Sequence, residues 1–366
     1  MKIAFVYTRG RLERLDAVTK GEAPTEFFYG ALELARAGHQ VGHFEIDPHV
    51  SWDFISAGLD LPRRFKVGPF KTDGQTIRQA LAMCPELNRY DLIVATASQI
   101  AFALALGTLT GRLRRPILAI QCGLINHQHN WIRHSCMKAL LQQMHSMLFG
   151  DSERQPMLDV FGLRHEQVSV NQFGVDTAFW QPGTAASSGV LAVGNDGRRD
   201  YATLLAAAPA ISAPVQIVTS RILPEQLPEN VTHLRGSWHQ PALSDAALRA
   251  MYQAAKCVVV PLQPSLQPSG QSVALQAMAC GRPVVLTVTD GLWSREMMVD
   301  GKNVLLCRPN DPRDLAEKVN YLLTHPADAH RIGMAGRETA CTQANIQNFA
   351  ALIESFWLRR QPEWDR

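Results

Sequence analysis

The feature that most constrains this 366-residue chain is a rhythm: strand-length apolar runs alternate with helix-length amphipathic segments in two blocks, with a single break between them. In the first block KIAFVYT (2–8), HQVGHFEI (39–46), DLIVATAS (91–98) and PILAIQC (116–122) read as strands, and HSMLFGDS (145–152) closes a further one. PTEFFYGALELARAG (24–38) and WIRHSCMKALLQQMHS (131–146) read as helices. Around 176–190 the rhythm stops in DTAFWQPGTAASSGV, whose proline, glycine and small residues are linker chemistry. It resumes with strands at 189–195, 214–220, 256–262, 283–288 and 303–307. Helices are expected at 200–211, 244–255, 271–280 and 311–326, with more near 327–358. Alternation at this spacing demands parallel strands joined by helical crossovers. The expected fold is therefore α/β, with two doubly wound, Rossmann-like domains facing each other across a cleft.

Composition removes several functions. Hydrophobic residues at 46% against 19% charged support substantial cores. A formal charge of +3 without a basic arm argues against nucleic acid as a partner. Seven scattered cysteines, never spaced as CxxC, read as reduced thiols in a cytoplasmic protein, with no metal site expected. MKIAFVYTRGR does not read as a signal peptide, and apolar stretches such as IAFALALGTLTG are too short to span a bilayer.

SGQSVALQAMACGRPVV (269–285) opens a helix on a bare polar turn. Two readings stand. In one, Ser269 is the N-cap and Gly281 the left-handed residue past the helix end. In the other, the turn of Ser269, Gly270 and Gln271 offers backbone N–H groups and a positive helix end to a phosphate, and faces a ligand instead of the core. Arg198 and Arg199, in AVGNDGRRD after the strand at 189–195, can supply fork-shaped donors to the same anion, beside Gly194 and Asn195.

Several segments together resemble the GT-B glycosyltransferases, specifically the large retaining group called family four. Gly21, Gly38, His39 and Val41 match its first loop, helix and strand. Gly174, Val175, Asp176, Phe179 and Pro182 match the approach to its linker, with Phe173 in place of an asparagine. AVGNDGRRDYATLLAA resembles its donor-diphosphate loop, with Arg199 where the family has lysine. AMACGRPVVLT and DGKNVLLCRPNDP resemble its C-terminal block. The resemblance implies an acceptor-binding domain at 1–180, a nucleotide-sugar donor domain at 181–343, and a C-terminal helix, 344–366, crossing back to the first. It implies a nucleoside diphosphate sugar as donor, no separate cofactor, and a sugar, lipid-linked or small-molecule acceptor. Trp238 would frame the nucleobase. One departure is sharp: the family's two glutamates fall on Pro268 and Gln276. Gln276 can still hydrogen-bond a ribose, but without charge.

On the acceptor side the family's strand-end histidine falls on Cys122, with His127 and His129 following as catalytic candidates and Gly21 and Glu22 on the first loop. Basic segments such as LPRRFK and GRLRRP, with the apolar FFY, suit peripheral contact of the first domain with the inner face of a membrane. A non-catalytic sugar-nucleotide-binding or scaffold protein on the same fold stands as the alternative. An epimerase would need cleft acids that are not apparent, and the GxGxxG fingerprint of a dehydrogenase is missing.

Overall fold

The computed structural model describes residues 1–47, 72–125, 131–184, 189–236 and 243–364, with side chains to Arg360. The chain divides into two compact units. One comprises Met1–Leu15, Phe27–Gln172 and Phe349–Arg366; the other comprises Asp16–Glu26 and Phe173–Asn348. Assignment of the short Asp16–Glu26 strap to the second unit was not foreseeable from the alternation.

The first unit is built on a six-stranded parallel sheet. Its strands are β1 (Lys2–Thr8), β2 (Gln40–Ile46), β3 (Leu92–Ala95), β4 (Ile117–Gln121), β5 (His145–Leu148) and β6 (Val168–Val170), in the order β2-β1-β3-β4-β5-β6. Residues 3–7 of β1 are all buried, as expected for a strand covered by helices on both faces. The segment 24–38 is not one helix. A 3₁₀ turn at Thr25–Phe28 gives way to a helix at Ala31–Arg36, separated by Gly30 at φ +81°. A Cβ at Gly30 would lie 3.0 Å from Ala350, so this glycine lets the first unit close on the helix Ile346–Trp364. That helix is further tied down by Glu354, which meets His39 Nε2 at 2.9 Å, and by Phe356, whose ring centroid is 4.3 Å from that of His145.

The second unit repeats the plan with β7 (Val190–Val193), β8 (Val215–Val218), β9 (Val231–Leu234), β10 (Cys257–Val260), β11 (Val284–Thr287) and β12 (Leu305–Cys307). Their order is β12-β11-β10-β7-β8-β9, all parallel. Helices pack on both faces, and several begin with side-chain caps: Asp200 accepts from Thr203 N, Ser244 from Ala247 N and Asp311 from Asp314 N. All seven cysteines are free thiols.

Candidate functional site

In the second sheet the strand order reverses between β7 and β10. In open α/β sheets, loops leaving the carboxyl ends of two such strands form the natural ligand crevice. Here the two loops are zipped together. Asp200 N donates to Pro261 O at 3.0 Å, and Gln263 N donates to Arg198 O at 2.9 Å. The zip forces Arg199 inward, leaving it 3% exposed.

Arg199 then lies across Gly194. A Cβ there would sit 2.0 Å from Arg199 Nε, so the position is closed to any other residue, and its φ of +145° also suits glycine. Tyr201 and Thr219 hydroxyls fix the Gly194 carbonyl at 2.6 and 2.8 Å. Arg199 Nε lies 3.0 Å from Asp196 Oδ2, yet neither its Nε nor its Nη1 makes a hydrogen bond. The Asp196 side chain is 36% exposed, so solvent weakens this ion pair.

Nη1 points instead toward the start of the Gln271–Ala279 helix, 3.1 Å from where a Gly270 Cβ would be. That helix has no side-chain cap. Gly270, at φ 81°, is the N-cap residue in place of Ser269, whose buried Oγ has no partner. A glycine at the helix start carries no side chain to fold back on the first N–H groups. A buried guanidinium, an uncapped helix end and a buried hydroxyl thus converge, and all three favour an anion. The expectation that Gly270 faces only ligand is corrected: its Cβ would also come within 2.6 Å of the fully buried Val260.

Farther along the same helix, Gln276 is 7% exposed and its amide is held at both ends. Tyr252 donates its hydroxyl to Oε1 at 3.2 Å, and Nε2 donates to Glu26 Oε1 at 2.9 Å. Glu26, from the strap, also accepts from Trp180 Nε1 and from Asp176 N, each at 2.7 Å. Asp176 reciprocates by accepting from Thr25 N at 3.0 Å. Burial pushes the Glu26 carboxyl up to about 7, although its bonds to Gln276, Asp176 N and Trp180 pull the other way. Sequence reasoning missed Glu26. The available signal was Gln276 itself, a buried amide needing an acceptor at a place where the resemblance predicts an acid.

The structure therefore brings together Gly194, Arg199, Ser269 and Gly270, with Gln276 on the same helix. Asn195 is committed to Ser220, Thr219 and the Gly236 carbonyl, and holds the neighbouring loop. Arg198 is half-buried and donates its backbone N–H to Asp196. Gln271 is buried, while Gly21 and Glu22 are exposed on the strap. Cys122 is half-buried after β4 in the first unit. His127, His129 and Trp238 lie outside the described residues.

A family profile described as glycosyl transferases group 1 matches residues 188–325, the segment that contains the Arg199 and Ser269 loops. Alpha-maltose-1-phosphate synthase of Mycobacterium tuberculosis is 32% identical over 221 residues, which are 50% of this chain and 55% of that protein. The chain thus spans about half the length of that curated relative. Among solved structures, sucrose-phosphate synthase from Thermosynechococcus elongatus aligns over 100% of both chains with a TM-score of 0.73 at 20% identity. HepE of Anabaena, solved with UDP-glucose, covers 98% of this chain and 100% of its own, with a TM-score of 0.70 at 15% identity. The fold is the GT-B fold, with two Rossmann-like domains, and residues 188–325 match the glycosyl transferases group 1 family.

Proposed function

We propose that this GT-B chain is a glycosyltransferase that takes its sugar from a nucleoside diphosphate sugar and binds the diphosphate at Arg199, Ser269 and the start of the Gln271–Ala279 helix. The observation that carries this reading is the Arg199 guanidinium, 3% exposed, with Nη1 lacking any acceptor beside an uncapped helix end. A departing diphosphate gains negative charge, and preorganised donors in a dry site stabilise that charge most strongly. Arg199 and the helix end supply positive charge without a metal, which supports metal-independent transfer; retention of configuration rests on the family resemblance. The UDP-glucose held by HepE supports a uridine nucleotide as donor. The acceptor proposed with it is a sugar, a lipid-linked molecule or a small molecule.

No described helix is long and apolar enough to cross a membrane. A cytoplasmic location is proposed, with the first unit touching the inner face of the membrane. Trp131, 77% exposed beside the partly exposed Ile132, supports that contact.

A binding protein without turnover shares the same anion site. It draws support from Gln276, whose amide is spent on protein partners. Calorimetry with UDP and UDP-glucose, followed by UDP-release assays with chelator, separates the readings. Arg199→Ala is expected to lower UDP affinity by about 1.5–3 kcal/mol, the value of a charge-assisted contact. Unchanged affinity would remove Arg199 from the site. UDP binding without UDP release across a panel of acceptors would favour the non-catalytic reading.

A further inference from the structure

We propose that Glu26 is a positioning residue for the anion site, acting through Gln276 on the helix whose N-terminus forms that site. The proposal rests on the diphosphate reading above and extends it to a residue that does not touch the ligand.

The geometry joins two distant pieces of chain through one carboxylate. Glu26 and Gln276 are 250 positions apart in sequence and 2.9 Å apart at their polar atoms. Gln276 lies about 9 Å along the helix axis from Gly270, so a shift at its amide is transmitted to the helix start. The other end of the amide is held by Tyr252, whose fully buried hydroxyl lies in the electric fields of both Arg199 and Glu26. Glu26 therefore does two things at once. It fixes the roll of the Gln271–Ala279 helix, and with Asp176 and Trp180 it pins the Asp16–Glu26 strap to the chain entering the second unit.

This also gives the departure at position 276 a physical reason. A glutamate at 276 would face Glu26 at about hydrogen-bonding distance, placing two carboxylates together in a buried site. The two cannot both be acids without sharing a proton. Gln276 supplies the N–H that makes a buried Glu26 tolerable, and Glu26 returns a carboxylate to this part of the site. The pair is an exchange of acid and amide across the strap.

The test is a cycle of three variants in the full chain: Glu26→Gln, Gln276→Glu and the exchanged double variant. UDP affinity is measured by calorimetry, alongside thermal melting. Glu26→Gln turns an amide N–H₂ toward one of the N–H donors that Glu26 accepts, and is expected to weaken UDP binding about tenfold. Gln276→Glu is expected to lose at least as much near pH 8 and to recover toward pH 6, where a proton is shared between the two acids. The double variant restores the bond between positions 26 and 276 but still turns N–H₂ toward Trp180 Nε1 or Asp176 N, so it is expected to regain part of the affinity lost in Gln276→Glu and to lose that pH dependence. If Gln276→Glu does not fold, Glu26→Gln and the double variant still decide. Folded variants that bind UDP as the native chain does, or a double variant no better than the worse single, overturn the proposal and leave the diphosphate site standing. Absence of UDP binding by the native chain overturns both.

Discussion

The two sheets reach the same topological situation and use it differently. In the first, the order reverses between β1 and β3; in the second, between β7 and β10. Each reversal has an arginine shortly after one strand and an uncapped helix after the other. Arg9 follows β1, and the Ser98–Leu109 helix starts after Ala97 without a side-chain cap. Arg199 follows β7, and the Gln271–Ala279 helix starts on Gly270. The difference is burial. The Arg9 side chain is 61% exposed and paired with Asp47, whereas that of Arg199 is 2% exposed with donors unspent. A solvated, paired cation has no residual demand, while a buried one with unmet N–H groups favours an anion strongly. Motif residues at a switch point thus say little until their burial is known.

The largest expected effect sharpens this contrast at two left-handed glycines. A Cβ at Gly270 would meet Val260 Cγ1 at 2.6 Å and Arg199 Nη1 at 3.1 Å, while one at Gly10, φ +93°, would meet nothing within 4 Å. Gly270→Val is expected to cost roughly 3 kcal/mol or more, from backbone strain plus overpacking, and to displace Arg199. Gly10→Ala pays only the left-handed strain, about 1 kcal/mol. Urea denaturation of both variants measures the gap. Equal costs would mean that the Gly270 turn is not packed as described.

Next in size is the pH dependence that Glu26 brings to the second unit. Its folded-state value, about 7, stands above the ordinary 4.5. A raised value means that its contribution to stability is fully present below the unfolded pKa and is lost as pH rises through the folded one. Between about pH 4.5 and pH 7 the loss is on the order of 3 kcal/mol. Glu26→Gln lacks this titration. The native chain should therefore be favoured over the variant more at the acid end of this window than at neutral pH. A stability difference that stays flat with pH would show that the carboxyl is not buried as a raised acid.

Most of the architecture was legible because parallel strands buried on both faces leave continuous apolar runs, as in CVVV at β10 and VVLT at β11. The loops after β7 and β10 were legible as the proposed anion site because glycine, arginine and an uncapped helix start each carry a local signature. What stayed hidden was non-local. Nothing near Glu26 announces that it will meet Gln276, Trp180 and Asp176, since those contacts exist only once the strap docks. The single helix expected at 24–38 failed for a similar reason: Gly30 is held left-handed by close packing with Ala350, far away in sequence. Of the two readings of the turn before the Gln271–Ala279 helix, the one that makes Ser269 the cap fails, because the left-handed turn at Gly270 hands that position on by one residue.

The smallest expected effect is the most direct check on the comparison. Arg9→Ala removes the arginine that corresponds by topology to Arg199. It leaves the backbone bond from Arg9 N to Ile46 O, because that bond does not use the side chain. The lost pair with Asp47 is exposed and should already be weakened by moderate salt. Melting temperature and UDP affinity should therefore both stay within error of the native chain, and the melting difference should shrink further as salt is added. Arg199→Ala measured in parallel should lose UDP affinity while unfolding nearly as the native chain does, because Asp196 keeps solvent contact once its partner is gone. A loss of UDP affinity in Arg9→Ala comparable to that in Arg199→Ala would show that burial is not what distinguishes the two switch points, and would move the anion site out of the second unit's loops.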